Sequence, residues 1–214
     1  MKKMLMKEIS LTASPLSFIF IAFSLLTFIP QYPILVGAFF ICFGIFQSFQ
    51  KARESNDILY TAMLPIKKTD VVKTKYIFAI AIQTVAFVLI VLFSLLRLFV
   101  LNNYPPYNSN KLLNANMVYL GFVLIIFALF NLCFIGGFFK TAYKIGILFV
   151  VFIVAAFLTI GVAEALHFFP SLECLNSNYH YSHLILLAIG VVTYLALTWI
   201  SYVKSEKNFE KIDL

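Results

Sequence analysis

The sequence predicts an all-α protein that crosses a membrane several times, with residues 1–214 forming a single transmembrane domain. Hydrophobic residues make up 62% of the chain and charged residues 12%, whereas a soluble domain is about half apolar and about a quarter charged. The mean hydropathy is +0.96. The polar residues are too few to cover a water-soluble globule, so we expect the excess apolar side chains to face lipid.

Six apolar segments approach the length that crosses a bilayer, which is about 20 mostly apolar residues. They cover residues 11–29, 34–49, 76–101, 117–139, 145–165 and 183–203. The first two are separated only by the stretch from Pro30 to Pro33, and two prolines in four residues favour a tight turn over a continuous helix. The predicted architecture is a bundle of six transmembrane helices.

The positive charges predict the orientation of this bundle. All 16 Lys and Arg residues except Arg97 and Lys111 lie in the N-terminal segment, after the second span, after the fourth span, or in the C-terminal tail. Short cytoplasmic loops collect Lys and Arg, so both termini are expected in the cytoplasm. A nucleic-acid reader gathers its cations on one face instead, and no nucleic-acid partner is predicted.

Residues 1–10 place apolar side chains at helical spacing and three lysines elsewhere. This pattern predicts an amphipathic helix that lies in the inner membrane interface. The alternative is a charged leader that only sets topology.

The cytoplasmic segment 54–73 is predicted to hold a short amphipathic helix. Ser55 or Asn56 is suited to cap it, Asp57 lies in its first turn, and Pro65 ends it. Its apolar stripe consists of Ile58, Leu59, Ala62 and Met63. Such a helix either packs on its own bundle or docks into a groove of a soluble partner, and periodicity alone leaves both uses open.

Polar side chains inside the spans suggest two further features. Arg97 and Glu164 lie near the outer ends of the third and fifth spans, and they are candidates for an outer clamp because charges in a membrane are costly. Alternatively, each reaches the interface independently. Four uncharged polar residues also lie inside the spans, and they could either line a path or form hydrogen bonds between helices. Hydrogen bonding between helices is favoured for these residues, which are Gln83, Thr84, Ser94 and Asn131.

No catalytic site, metal site or cofactor is predicted within the chain. The stretch Gly136–Thr141 has the wrong spacing for a phosphate-binding loop, so ATP would have to be bound by another polypeptide. No compact metal-ligand spacing links the possible ligands near the last outer loop, which are His167, Glu173, Cys174, His180 and His183. A structural role is expected for all three cysteines, Cys42, Cys133 and Cys174.

Five short stretches carry a more specific signal. They are Ser14-Pro15-Leu16-Ser17, Pro33-Ile34-Leu35-Val36-Gly37, Glu54-Ser55-Asn56-Asp57-Ile58-Leu59-Tyr60, Leu64-Pro65-Ile66-Lys67-Lys68 and Asp70-Val71-Val72-Lys73. Together they resemble the permease subunit of an ABC-2 type ATP-binding cassette exporter, in the compact six-span bacterial branch without a fused ATPase. The resemblance is strong over residues 1–80 and follows the topology after that.

The resemblance implies a function and a set of partners. Segment 54–73 resembles a coupling helix that fits a cleft in a cytoplasmic P-loop ATPase, and the N-terminal segment resembles the connecting helix of that family. The implied ATPase-coupling interface consists of Glu54, Asn56, Asp57, Ile58, Leu59, Tyr60, Met63, Leu64 and Pro65. A second permease copy or a sister permease, a bacterial cytoplasmic membrane, and export of a hydrophobic peptide, peptide antibiotic or drug are also implied.

Two other function classes remain to be weighed. An intramembrane protease or lipid-modifying transferase needs polar catalytic groups at similar depth on neighbouring spans, and the spans offer no such pairing. An ATP-independent channel, secondary transporter or membrane assembly protein is the alternative to the exporter. Copurification of an ATPase separates these last two classes.

Overall fold

The computed structural model describes residues 2–63, 66–101, 104–108, 112–141, 144–169 and 181–212, and every regular element in these ranges is helical. The predicted all-α fold is confirmed. The α-helices are α1 (Lys2–Lys7), α2 (Pro15–Ile19), α3 (Val36–Glu54), α4 (Asp57–Ala62), α5 (Lys68–Leu96), α6 (Pro105–Asn108), α7 (Met117–Leu129), α8 (Gly136–Thr141), α9 (Ile145–His167) and α10 (Tyr181–Glu210). Other helical stretches are the 3-10 helix Phe20–Phe28 and the π-helical Glu8–Thr12, Arg97–Leu101 and Phe130–Ile135.

The helices run between two ends of one bundle. At one end, the Ser14 amide donates to Ser48 Oγ at 2.8 Å, and Lys68 Nζ donates to the Glu210 carbonyl at 3.3 Å. We call this the basic end, because Lys7 of α1, the lysines of α5 and those near the end of α10 lie there. At the opposite end, the Tyr107 hydroxyl donates to the Phe28 carbonyl at 2.9 Å.

Four helical segments in the described residues are long and apolar enough to cross a membrane, so the chain is a multi-pass membrane protein. They are Lys68–Leu101, Met117–Thr141, Ile145–Leu166 and Tyr181–Glu210. A bent pair, Met4–Thr12 and Pro15–Phe28, raises the count to five if it is taken as one span. The six-span count stays a prediction, because α3 is not among these segments.

Two predicted spans are parts of longer helices. The helix that contains residues 76–101 begins at Lys68, and the helix that contains most of residues 34–49 continues to Glu54. Hydropathy marks where a chain leaves the apolar layer, whereas the helix continues into water because its backbone hydrogen bonds are internal. The first turns of α5 therefore belong to segment 54–73.

The 3-10 geometry of Phe20–Phe28 extends the first apolar segment. Five α-helical and nine 3-10 residues from Pro15 to Phe28 reach about 25 Å, close to the roughly 30 Å hydrocarbon thickness. Three residues per turn bring Phe20 and Phe23 into a stack, with ring centroids 5.0 Å apart. Phe23 also stacks on Phe40 of α3 at 4.5 Å, which joins the two segments as a hairpin.

The segment Met117–Thr141 is the centre of the bundle. Its most apolar window is 78% buried, against 17–28% for the other three long segments. Phenylalanine rings from neighbouring helices close around it, including Phe46 of α3 with Phe134 at 5.3 Å and Phe152 of α9 with Phe130 at 5.0 Å. The other long helices turn apolar side chains outward, where a membrane protein meets lipid.

A buried polar band joins α5, the π-helical stretch after α7, and α10. Gln83 and Asn131 exchange amide hydrogen bonds of 2.9 and 3.1 Å, and Asn131 also donates to Thr198 Oγ1 at 3.0 Å. Bonding between helices is thus confirmed for Gln83 and Asn131. Thr84 instead donates to the Ile80 carbonyl of its own helix, and Ser94 is buried.

Helices α7 and α10 make the most extensive contact between elements, and two glycines allow it. A Cβ atom on Gly190 would lie 2.5 Å from the Gly121 carbonyl oxygen and 2.7 Å from its Cα. A Cβ atom on Gly121 would lie 2.7 Å from the Leu186 carbonyl oxygen. Since these neighbours are backbone atoms, they cannot move aside as a flexible side chain would.

We predict that Gly190→Ala destabilises the protein by about 1–3 kcal/mol, the usual effect of overpacking. Gly161→Ala on α9 is the matched control, because no heavy atom lies within 4 Å of a Cβ added there. Thermal unfolding in detergent measures both variants, and the control should be unchanged or slightly more stable. Equal midpoints for the two variants would contradict this close helix crossing.

Candidate functional site

Four charged side chains from three segments meet at the basic end. Lys7 ends α1 and Glu8 follows it, Asp57 begins α4, and Lys75 lies two turns into α5. Lys75 Nζ is 2.6 Å from Glu8 Oε1 and 3.3 Å from Asp57 Oδ2, and Lys7 Nζ is 2.5 Å from Asp57 Oδ1. We call these four residues the ionic junction.

The ionic junction is almost closed to solvent. The exposed fraction of the side chain is 1% for Lys75, 4% for Asp57, 8% for Glu8 and 14% for Lys7. Two cations balance two carboxylates, and removal of any one leaves an uncompensated buried charge. The three segments can therefore bury these groups only together.

An elbow brings Lys7 and Glu8 to this position. Ser14 precedes Pro15 and adopts the extended backbone that such a residue favours, which separates the π-helical stretch from α2. The two helical segments then meet at 96°. Lys51 Nζ fixes the bend by donating to the Ala13 carbonyl at 3.0 Å, and Ser17 Oγ donates to the Gly44 carbonyl at 2.5 Å.

A reversal after α3 positions α4. Asn56 has a φ of 50°, a left-handed conformation that asparagine tolerates better than most residues, and α4 begins at the next residue. Thr61 lies one turn after Asp57, and its hydroxyl donates to the Asp57 carbonyl at 2.6 Å. Lys7 Nζ also donates to Thr61 Oγ1, so the side chains of Asp57 and Thr61 both bind the N-terminal segment.

The electrostatic environment holds Asp57 in its charged form. Burial alone would raise the pKa of this carboxyl, but the positive charges of Lys75 and Lys7 beside it more than offset that effect. The pKa of Asp57 is lowered from its ordinary value of 3.8. Its negative charge therefore stabilises the fold at neutral pH.

The structure divides the residues of the implied coupling interface between two sides. Asp57 faces inward, whereas Glu54, Asn56, Tyr60 and Met63 are exposed. Tyr60 is 56% and Met63 84% exposed. The structure does not describe residues 64 and 65, nor the side chains of Ile58 and Leu59.

Sequence reasoning missed the partners of Asp57, which are Lys7, Thr61 and Lys75, and it also missed Glu8. One signal was present for Lys75, because it shares a helical face with Val72 and Ala79, and apolar neighbours at this spacing indicate burial. No pattern in the sequence indicated that the N-terminal segment would fold back over this face. Only the elbow before Pro15 brings Glu8 to Lys75.

The structure gives Arg97 and Glu164 different partners within the ranges it describes. Arg97 Nη1 donates to the Thr27 carbonyl at 2.5 Å, and its guanidinium lies 5.4 Å from the ring centroid of Tyr107. Glu164 accepts a hydrogen bond from the Leu113 amide at 3.0 Å. No ion pair between Arg97 and Glu164 occurs among the described residues, so the geometry does not support the outer clamp.

The described residues hold no group of three side chains suited to a metal ion. His183 is buried at the start of α10. Glu173, Cys174 and His180 lie outside the described residues, as does the side chain of His167. Of the cysteines, Cys42 is buried and Cys133 partly buried, both as free thiols.

A family model described as ABC-2 family transporter protein matches residues 3–210, nearly the whole chain. No curated protein and no solved structure matches the chain significantly. The match covers the ionic junction, α4 and all the long helices.

We predict that Lys75→Gln costs about 3–5 kcal/mol of stability, because Glu8 loses its ion-pair partner and two buried carboxylates then share one lysine. Lys140→Gln, an exposed lysine at the same end of the bundle, is the matched control and should change stability little. Thermal unfolding in detergent measures both. A Lys75→Gln variant as stable as the control would contradict the ionic junction.

Acid should remove the contribution of Asp57. Because its folded-state pKa lies below 3.8, this contribution is complete above pH 3.8 and is lost as the pH falls below that value through the lowered pKa. Measured stability in this window should fall more steeply for the wild type than for Asp57→Asn. Parallel profiles for the two proteins would show that Asp57 is not held as a buried carboxylate.

Proposed function

Since the chain belongs to the ABC-2 family of transporter proteins and is a permease of an ABC-type transporter, we propose that it is the membrane subunit of an exporter driven by a separate cytoplasmic ATPase. In this proposal the partner binds and hydrolyses ATP, and the chain itself needs no cofactor. Two copies of the chain, or one copy and a sister permease, enclose the path between them.

The arrangement of α4 carries this proposal. A short helix is anchored on its inner side through Asp57 and Thr61, while Tyr60 and Met63 project outward. Exposed apolar side chains on a charged, membrane-proximal face are typical of a surface that docks into a partner. Glu54 is also exposed, at the end of α3, and lines a cleft of about 540 Å³ between α3 and the start of α9.

The ionic junction gives the docked helix a route into the membrane. Lys75 binds Asp57 of α4, and the next residue of α5, Tyr76, bonds to Ser201 and Ser205 of α10 at 2.7 and 2.9 Å. Two turns further along α5, Gln83 bonds to Asn131. A displacement of α4 by the ATPase would therefore act on α5, and through it on α7 and α10, as packed elements move between discrete arrangements.

The distribution of lysines supports a cytoplasmic basic end, with both termini on that side of a bacterial cytoplasmic membrane. In this orientation, α4 lies on the side of the membrane where ATP is available. By family resemblance, the proposed cargo is a hydrophobic peptide, peptide antibiotic or drug moved outward.

The proposal is tested by purifying the protein in mild detergent from its native host and identifying the proteins that accompany it. We expect a P-loop ATPase at one copy per permease, and about tenfold less of it with Tyr60→Asp and Met63→Asp combined. Tyr104→Asp is the matched control, because Tyr104 is 57% exposed at the opposite end of the bundle.

Two outcomes of this purification would contradict parts of the proposal. Wild-type preparations free of any ATPase would contradict the exporter and favour an ATP-independent channel, secondary transporter or assembly protein. An ATPase retained by the double variant would keep the exporter but reject α4 as its docking site.

A further inference from the structure

A groove of about 470 Å³ lies between α5 and α10, within the size range of small-molecule sites. Its lining includes Lys73, Tyr76, Ile80, Leu195, Trp199 and Tyr202. Trp199 is 67% and Leu195 61% exposed, and both helices turn apolar side chains outward beside the groove. The groove therefore opens toward lipid.

The groove has a polar end and an apolar end. Lys73 lies near the start of α5, at the basic end, and Ile80 lies about 10 Å further along the helix. On α10, Tyr202 is nearer the basic end and Leu195 is two turns further from it. A molecule that fills this groove would have its polar group at headgroup depth and its apolar part toward the membrane centre.

The hydroxyl groups of the lining are already used by the protein. Tyr76 bonds to Ser201 and Ser205, and the Tyr194 hydroxyl donates to Gln83 Oε1 at 2.9 Å. Thr198 accepts from Asn131. The groove thus presents ring faces and aliphatic carbons along its length, which suits a hydrocarbon chain.

Charges of both signs surround the polar end. Asp70 lies one turn before Lys73 on α5, and Glu206 lies one turn after Tyr202 on α10. The Glu206 carboxylate accepts a hydrogen bond from the Tyr202 hydroxyl, and the Tyr202 side chain lines the groove together with Lys73. One lysine and two carboxylates therefore lie near the polar end, and among the described residues no ion pair joins Lys73 to either carboxylate.

We propose that the groove holds an acyl chain of a phospholipid from the leaflet at the basic end, and that the headgroup carries a phosphate and a primary ammonium. Lys73 binds the phosphate, and Asp70 and Glu206 accept hydrogen bonds from the ammonium. Phosphatidylethanolamine has this chemistry. Phosphatidylcholine lacks the N–H donors, and phosphatidylglycerol lacks the cation. The lipid site itself does not depend on the proposed function. Identifying the leaflet at the basic end as the cytoplasmic leaflet does rest on that function.

The chain contains one tryptophan, and it lines the groove, so its fluorescence reports occupancy. The protein is reconstituted in phosphatidylcholine vesicles. An increasing fraction of the lipid is then replaced by phosphatidylethanolamine, phosphatidylglycerol or phosphatidylcholine with brominated acyl chains, because bromine quenches tryptophan fluorescence. We expect the ethanolamine lipid to be preferred at Trp199 about fivefold over brominated phosphatidylcholine, the effect of about one charged contact. Lys73→Gln and Asp70→Asn should each reduce this preference to twofold or less.

The control moves the tryptophan to lipid-facing α9 with Trp199→Phe and Val154→Trp. Val154 is 55% exposed and about 14 Å from the start of α9, a depth similar to that of Trp199 in α10. This variant should show no headgroup preference. Equal quenching by all three lipids at Trp199, or stronger quenching by phosphatidylglycerol than by phosphatidylethanolamine, would overturn the proposal. Quenching by none of them would overturn it in favour of a second copy of the chain covering the groove.

Discussion

The buried ion pairs of Lys75 with Glu8 and Asp57 are the interaction on which the basic end of the structure depends. A lysine that is 1% exposed needs its two carboxylates, because the cost of taking an ammonium out of water is met only by close, hydrogen-bonded partners. Those partners come from segments that are far apart in the sequence. The N-terminal segment, α4 and α5 therefore hold their relative positions as one unit.

The same helix that carries Lys75 extends this constraint into the bundle. Tyr76 follows directly and bonds to α10, and Gln83 pairs with Asn131 beside the central segment. At the π-helical stretch Phe130–Ile135, the Asn131 carbonyl accepts hydrogen bonds from the Gly136 amide and from the Ser201 hydroxyl, the latter at 2.6 Å. Polar groups in a membrane interior favour such bonds because lipid offers no alternative partner. In the proposed permease, these bonds link the ATPase-facing helix to the helices that move.

Much of the fold could be predicted because a bilayer imposes simple rules on sequence. Apolar length predicted the long helices, and the short helix expected after Ser55 or Asn56 is α4, which begins at Asp57. The 96° elbow was harder to predict, since Pro15 indicates a break but not its direction. Periodicity also could not decide which side of α4 faces a partner. Asp57 turned inward because Lys7 and Lys75 lie beneath it, and their convergence depends on tertiary structure. Arg97 and Glu164 were candidates for a clamp because of their charges, and in the structure each forms a hydrogen bond with a backbone group.

Hydrogen exchange of the α4 backbone amides, followed by mass spectrometry, tests the central claim most directly. If the ionic junction holds α4 against α1 and α5, these amides should be protected in the wild type. They should exchange about 100-fold faster in a Glu8→Gln, Lys75→Gln variant, while α7 amides stay unchanged. Unchanged exchange of α4 in a variant that remains folded would contradict the claim, because α4 would then be positioned without the ion pairs of Lys75.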